Sequence, residues 1–299
     1  GVSPDRIERM MQRLSALDRR EAEGFMHLPA FQRLSREAER IELPVPKSIG
    51  PYRIIKRLGA GAFGVVYEAQ QDHPSRIVAL KLAHASLSDT ASYRGFRREI
   101  RLLAGIVHEN VARVLEAGTF STEQGELPYF TMDRVQGEPL LEYVARTRPP
   151  LQNLLRLYLE ACRAVAYAHG RGVIHRDLKP SHILITAEGR PKLIDFSIAR
   201  ALETGEAEPE TITATGLVAG TPAYMRPERF RADPGVPDVG DDVYALGVIL
   251  YQAISGSLPF DAPADDFFAV MEKKRVDPIP LGRRAPKTPK DLALIVHAA

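Results

Sequence analysis

The sequence predicts an α+β fold in which a small antiparallel sheet is followed by a mainly helical part. Two patterns support this prediction. Between Tyr52 and Ala83, short β-type runs surround the stretch LGAGAFGVVYEA and continue into RIVALKLA. Further along the chain, leucine and alanine recur at helical spacing from Leu154 to Ala168. Strands gathered in one region and helices in another are typical of α+β proteins.

Composition limits the classes of protein to consider. The 299 residues are 44% hydrophobic and 26% charged, which is ordinary for a soluble globular protein of one large or two small domains. The 40 basic and 38 acidic residues nearly balance, so charge gives no indication of nucleic-acid binding. One cysteine, Cys162, cannot form an internal disulfide, and a reducing, cytoplasmic location is expected. No apolar run approaches about 18 residues, so no membrane segment is expected.

Residues 1–48 are predicted to form a helical N-terminal extension. Apolar residues recur at helical spacing from Ile7 to Leu17, and a second apolar stripe runs from Phe31 to Ile41. Two amphipathic helices need a surface to cover. We therefore expect them to dock on the rest of the chain or to join two copies in a homodimer.

Three glycines mark a hairpin near the start of the predicted sheet. Gly59, Gly61 and Gly64 form the pattern G-x-G-x-F-G, which alone is weak because glycines also serve plain hairpins. Strand-like residues on both sides favour a hairpin over phosphates and disfavour a dinucleotide fold. Without side chains, the backbone N–H groups can approach phosphate oxygens closely. Phe63 and Val66 are expected to cap the phosphates and the base.

The next strand carries a lysine that needs a counterion. RIVALKLA alternates so that Ala79 and Lys81 share the face directed into the cleft. A lysine inside an apolar run requires a partner. In the following helix, Phe96, Glu99 and Leu103 recur at helical spacing, which places Glu99 on the stripe that faces the sheet. The sequence therefore predicts an ion pair between Lys81 and Glu99.

The stretch HRDLKPSH, from His175 to His182, places an aspartate among basic residues. A lone aspartate is usually a paired surface charge, but six fixed residue types in a row are harder to explain in that way. With the glycine hairpin, KLIDF and GTPAYMRPE in matching order and spacing, this stretch resembles the catalytic loop of eukaryotic-type (Hanks-type) serine/threonine protein kinases of the bacterial branch. The resemblance extends from about Ile49 to Ala299.

The resemblance implies a two-lobe protein kinase fold. The small N-lobe is expected at residues 49–133 and the mainly helical C-lobe at residues 134–299, with nucleotide in the cleft between them. Asp242 is expected to hold the backbone of the catalytic loop. Arg226 stands where the family usually has a small residue, and the late C-lobe arginine that pairs with the Glu228 position in the family is missing. The chain stops where another helix or two is expected.

The resemblance also implies catalytic roles. Asp177 is expected to be the base that orients the acceptor hydroxyl, and Lys179 to lie near the transferred phosphoryl group. Lys81, positioned by Glu99, is expected on the α and β phosphates of ATP. The lysine in the loop favours serine/threonine over tyrosine specificity, so the partners expected are ATP and a protein carrying Ser or Thr.

The adenine pocket follows from the same resemblance. Met132, at the end of an apolar strand, is expected to be the gatekeeper, and Ala79 lies on the cleft face. Asp133 and Val135 are expected to offer backbone groups to the adenine edge. Leu184 is expected to form the floor of the pocket.

The metal site departs from the family pattern. Asp195 is expected to be the magnesium carboxylate, but His182 stands where the family has an asparagine, and Ser197 replaces the glycine after Phe196. An imidazole suits softer metals than Mg2+, and with a pKa of about 6.5 it would be partly protonated near neutrality and repel the ion. We therefore expect weak use of Mg2+ and a preference for Mn2+.

Three functions fit these observations. The first is an active serine/threonine protein kinase with an impaired metal site. The second is a pseudokinase that binds nucleotide and acts as a scaffold or allosteric module, which His182 and Ser197 suggest. The third is a small-molecule phosphotransferase, which the complete peptide-docking stretch GTPAYMRPE disfavours.

Overall fold

The computed structural model describes most of the chain after the N-terminal extension. The described ranges are 45–61, 64–83, 90–122, 125–196, 221–230, 238–264 and 267–299. The predicted helices and homodimer contact of the N-terminal extension lie outside these ranges, as do Phe63 and Ser197.

Six strands form one antiparallel sheet in the spatial order β1-β2-β3-β4-β6-β5. Their bounds are β1 Ser48–Ile49, β2 Tyr52–Gly61, β3 Gly64–Gln71, β4 Arg76–Ala83, β5 Val114–Thr122 and β6 Gly125–Asp133. A single helix, α1 (Thr90–Ala104), connects β4 to β5. This is the predicted small sheet with one helix.

Strand β4 lies inside the sheet and is buried on both faces. Val78 and Leu80 are fully buried in a cluster with Tyr52, above one face. Ala79 belongs to the larger core, which also contains Phe96 of α1, on the other face. The alternation predicted for this strand is confirmed.

The rest of the described chain is mainly helical. Its helices are α2 Leu140–Thr147, α3 Leu151–His169, α4 Val239–Ser255, α5 Phe267–Lys273, α6 Leu281–Arg284 and α7 Lys290–Ala298. Helix α4 is buried along most of its length and packs against α3, because Ile249 and its neighbours contribute to the larger core. The predicted two-lobe fold, with a sheet region followed by a helical region, is confirmed.

A second sheet lies at the start of the helical region. Strands β7 (Gly137–Pro139), β8 (Ile183–Thr186) and β9 (Pro191–Leu193) form it, and a 3-10 turn at Pro180–His182 leads into β8. The loop with the HRDLKPSH motif therefore runs between the end of α3 and β8. In the described ranges, every helix is too short or too polar to cross a membrane.

Candidate active site

The loop between α3 and β8 is held by a carboxylate of α4. Asp242 is 1% exposed and accepts hydrogen bonds from the backbone N–H groups of His175 (2.8 Å) and Arg176 (2.9 Å). Nε2 of His169, at the end of α3, donates a third at 2.7 Å. Burial alone would raise the pKa of Asp242, but these donors hold it below its usual range. The predicted role of Asp242 is confirmed.

The anchored loop brings the carboxylate of Asp177 and the ammonium group of Lys179 together. Arg176 has a φ of 66°, a region uncommon outside glycine, and the bonds to Asp242 stabilise this conformation. The following N–H, of Asp177, bonds to the carbonyl of His175 at 2.9 Å. Nζ of Lys179 lies 3.0 Å from Oδ2 of Asp177. Both side chains remain partly exposed, so a substrate hydroxyl can approach them.

His182 is buried beside both site carboxylates. Its Nδ1 lies 2.7 Å from the carbonyl oxygen of Asp177, and because a carbonyl can only accept, Nδ1 carries the proton. Nε2 then holds a lone pair, 3.6 Å from Oδ2 of Asp195. Burial lowers the pKa of His182 to about 4, although Asp195 and Asp177 oppose the shift. The expectation of a partly protonated His182 near neutrality is wrong, because desolvation outweighs the two carboxylates.

Asp195 is paired with Lys81. Nζ of Lys81 donates a short hydrogen bond to Oδ1 of Asp195. Burial alone would raise the pKa of Asp195, but the charge and hydrogen bond of Lys81 hold it below its usual range. The other oxygen, Oδ2, faces His182. Asp195 thus joins the lysine of the sheet to the histidine of the catalytic loop.

The predicted ion pair between Lys81 and Glu99 is wrong for this conformation. Glu99 instead pairs with Arg176 of the catalytic loop, with Oε1 and NH1 3.2 Å apart. The helical spacing gave the correct side of α1, since Glu99 does face inward. It could not give the position of α1 relative to β4, and that position decides which cation the carboxylate meets.

The glycine hairpin forms between β2 and β3. Gly61 lies opposite Gly64, and Gly59 opposite Val66. Gly64 has a φ of 149°, and a Cβ atom there would lie 2.2 Å from the carbonyl oxygen of Leu82. Glycine is therefore required at this position by backbone packing against β4.

The residues predicted for the adenine pocket lie along adjoining strands. Val66 on β3 is opposite Lys81 on β4, and Ala79 on β4 is opposite Met132 on β6. Leu184 is half-buried on β8, which pairs with the strand β7 that follows the connection between the sheets. The registers thus place Val66, Ala79 and Met132 on neighbouring strands of the six-stranded sheet, whereas Leu184 lies in the second sheet.

Sequence reasoning missed a contact at the connection between the two sheets. Nε of Arg134 bonds to Glu68 of β3 at 2.8 Å, and its NH1 donates a short hydrogen bond to the carbonyl of Val135. The carbonyl of Val135 is therefore engaged by a side chain, while Asp133 lies in the β6 ladder opposite Val78. No sequence pattern indicated that Arg134 would reach back to the sheet.

The described residues 221–230, which include most of the stretch GTPAYMRPE, contain two short 3-10 turns, Pro222–Tyr224 and Pro227–Phe230. Arg226, between the turns, forms ion pairs with Glu228 (3.3 Å), Asp238 (3.2 Å) and Asp241 (3.4 Å). The unusual arginine noted in the sequence thus pairs with Glu228, two residues away, and with two aspartates at the start of α4.

The sequence contains only a weak indication of two further buried contacts. One joins His169 to Asp242, and the other joins Lys274 to backbone carbonyls of the docking stretch. His169 follows the buried Val165 by four residues in α3, the spacing of one helix face. Lys274 follows the buried Val270 by four residues in the same way. A polar residue at a buried helical position needs a partner, but its partner lies far along the chain in each case.

Comparison with known proteins agrees with this geometry. The protein kinase domain family matches residues 52–291. The chain is 36% identical over 252 residues to the serine/threonine-protein kinase PknB of Mycobacterium leprae and 34% identical over 250 residues to the serine/threonine-protein kinase pkn2 of Myxococcus xanthus. These matches cover 83% and 82% of this chain but 39% and 29% of the relatives, so the chain spans well under half of their length.

Solved structures give the same result. The crystal structure of the Mycobacterium tuberculosis PknI kinase domain superposes with a TM-score of 0.57 and 26% sequence identity. The match covers 80% of this chain and 84% of that one.

Proposed function

Because the chain belongs to the protein kinase domain family, we propose that it transfers the γ-phosphoryl group of ATP to serine or threonine hydroxyls of proteins. One observation carries the proposal. Asp177 and Lys179 lie 3.0 Å apart on a loop whose backbone is fixed by the buried Asp242. A carboxylate that accepts from a hydroxyl and a cation that faces developing charge are the groups that phosphoryl transfer needs.

Each side chain has a separate task. Asp177 accepts a hydrogen bond from the acceptor hydroxyl and directs its oxygen at the γ-phosphorus. Lys179 lies beside Asp177 and offsets negative charge on the transferred group. Lys81 holds the α and β phosphates, which requires it to exchange the Asp195 contact for phosphate oxygens. Glu99 holds Arg176 of the catalytic loop against α1.

Nucleotide binding draws on the strands and the hairpin. Gly59, Gly61 and Gly64 leave backbone N–H groups open to phosphate oxygens. The adenine lies among side chains that line the cleft and against the backbone of the connection. These residues are Phe63, Val66, Ala79, Met132, Asp133, Val135 and Leu184.

The residues present fit a divalent metal. Oδ2 of Asp195 and Nε2 of His182 are two electron-pair donors 3.6 Å apart, and the Nδ1 proton of His182 is occupied by the Asp177 carbonyl. A neutral imidazole is a metal ligand, and burial keeps His182 neutral. In the described ranges no group of three or more His, Cys, Asp or Glu side chains is gathered for a metal, and an ion held by Asp195 and His182 would take its other ligands from phosphates and water.

The donor set predicts the metal preference. Mg2+ takes oxygen ligands in near-ideal octahedral geometry, whereas imidazole suits later first-row metals. One carboxylate oxygen and one imidazole nitrogen therefore favour Mn2+ over Mg2+. When bound, the ion neutralises charge on the phosphates.

Transfer of labelled phosphate tests the function. Wild-type protein and Asp177→Asn are incubated with γ-labelled ATP, with Mg2+ or Mn2+, and with myelin basic protein and casein as acceptors. The wild type is expected to label an acceptor or itself, and Asp177→Asn to lose transfer by about 10²- to 10⁴-fold while still binding ATP. Nucleotide binding by the wild type without transfer in either metal would overturn the proposal and favour the pseudokinase alternative.

A further inference from the structure

A buried lysine lies beneath the peptide-docking stretch. Lys274 directly follows α5, and its backbone N–H continues the helical bonding to the carbonyl of Val270 at 2.9 Å. Its side chain is 8% exposed. Nζ donates to the carbonyl of Pro222 at 3.1 Å and makes a short hydrogen bond to the carbonyl of Met225. Both acceptors lie in the first of the two 3-10 turns or directly after it.

The surroundings of Lys274 are apolar. Nζ lies 5.3 Å from the ring centroid of Phe230, 4.7 Å from that of Tyr244 and 5.9 Å from that of Phe260. These distances allow cation–π attraction, and among the described residues no carboxylate lies within ion-pair distance of Nζ. Burial lowers the pKa of Lys274 to about 7, and the charge of Glu228 opposes the shift.

An apolar side chain of the same length would fill this space without the cost of desolvating an ammonium group. Val270, one turn earlier, is 2% exposed and shows what the same helix face otherwise buries. What a lysine provides here, and an apolar residue does not, is hydrogen bonds to two backbone carbonyls. Those two hydrogen bonds therefore fix the backbone conformation of the stretch that Lys274 contacts.

Within the described residues, the docking stretch is also held near this point by bonds inside the turn and by two bonds to other elements. The turn closes on itself through the bonds from Tyr224 to Thr221 (3.0 Å) and from Met225 to Pro222 (3.2 Å). Two bonds link the turn to other elements. The N–H of Ala223 donates to the carbonyl of Ala264 at 3.2 Å, and the hydroxyl of Tyr224 donates to Oε1 of Gln252 at 2.7 Å. The far end is held separately by Arg226 and its three acidic partners.

We propose that Lys274 is a positioning residue for the protein substrate, because it fixes the backbone of residues 222–225 on which the acceptor peptide docks. This inference rests on the proposed kinase function. Lys274 does not touch nucleotide or reacting atoms, so it acts on peptide affinity and leaves ATP binding unchanged.

Two matched variants test the inference. Lys274→Met replaces the buried ammonium by an apolar chain of similar length, and Lys273→Met makes the same change at an exposed position one residue earlier. Loss of two buried hydrogen bonds is expected to raise KM for the acceptor protein by about tenfold in Lys274→Met, with KM for ATP unchanged. Lys273→Met is expected to match the wild type in both constants.

Amide hydrogen exchange gives a readout that does not depend on activity. Lys274→Met is expected to speed exchange at residues 222–230, while exchange in α4 and at the catalytic loop stays at the wild-type rate. Unchanged exchange at residues 222–230, or faster exchange throughout the helical region, would overturn the positioning role. Faster local exchange with an unchanged acceptor KM would overturn it as well. If the wild type transfers no phosphate, the kinase function has failed, and exchange alone decides whether Lys274 anchors the turn.

Discussion

The catalytic loop and the docking stretch are each held by a buried charged side chain, but the two side chains carry opposite charges. Asp242 accepts hydrogen bonds from two backbone N–H groups and one histidine. Lys274 donates to two backbone carbonyls. The first ion is fully compensated, and its pKa stays below the usual range despite burial. The second is compensated in part, and its pKa falls to about 7.

The difference in how fully hydrogen bonds compensate the two charges indicates how firmly each region is fixed. Three donors stabilise the charged form of the buried Asp242 carboxylate, and the catalytic loop therefore has one stable arrangement. The buried ammonium of Lys274 donates to two backbone carbonyls, and burial lowers its pKa to about 7. The docking stretch is therefore the more adjustable of the two regions.

Removal of the Asp242 carboxylate is the largest effect expected. Asp242→Leu leaves the N–H groups of His175 and Arg176 buried without acceptors, and we expect the free energy of unfolding to fall by about 3 kcal/mol or more. Urea denaturation followed by circular dichroism measures it. For contrast, Lys274→Met should change the free energy of unfolding by less than about 1 kcal/mol, because an apolar chain replaces a costly buried ion. Equal losses in the two variants would remove the distinction between the regions.

Arg226 should matter less than Asp242. Its side chain is 25% exposed and pairs with three carboxylates, and those of Asp238 and Asp241 are also reached by other groups. Arg226→Ala is expected to lower the free energy of unfolding by about 1 kcal/mol and to speed exchange at residues 227–230. A loss as large as that of Asp242→Leu would show that the docking stretch is as tightly built as the catalytic loop.

A pH dependence that comes from Lys274 is expected in addition. Its folded pKa of about 7 lies below the ordinary value of a lysine, so between these values the unfolded chain binds more protons than the folded one. The free energy of unfolding should therefore rise with pH above about 7, and below that pH the full cost of the buried cation is present. Of the groups that face Nζ, Glu228 opposes this shift, and burial raises the pKa of Tyr244 above the window.

Denaturation at pH 6.5 and 9 compares wild type with Lys274→Met. The wild type should gain stability relative to the variant at the higher pH. Lys273→Met, which removes an exposed lysine, should follow the wild type. A constant difference between wild type and Lys274→Met at both pH values would contradict the partial compensation of this lysine.

The sequence predicted elements well where the pattern was local. The alternation of β4, the glycine hairpin and the placement of Asp177 beside Lys179 all depend on neighbours within a few residues. It failed where two elements meet, because spacing along α1 gave the face of Glu99 but not the distance to β4. The same limit explains why the partners of Arg226 and Lys274 were not predicted, because those partners are set by the packing of short turns against α4 and α5.

The chemistry of His182 shows a second limit. Its ordinary pKa suggested a cation near neutrality, but burial among site residues makes it a neutral donor with its lone pair toward Asp195. The sequence alone shows that a histidine stands where the family pattern has an asparagine. Burial and the proton on Nδ1, which decide what the imidazole can bind, come from the tertiary structure.

Phosphoryl transfer with Mg2+ and with Mn2+, measured for the wild type and for His182→Asn, tests the central claim most directly. The wild type is expected to transfer phosphate faster with Mn2+ than with Mg2+. His182→Asn restores an oxygen ligand, and its Mg2+ rate should rise by about tenfold or more, so that the preference for Mn2+ is lost. Titration of Mn2+ by electron paramagnetic resonance in the presence of ATP should show weaker binding to the variant. An unchanged Mg2+ rate and an unchanged ratio of the two rates in His182→Asn would contradict the account.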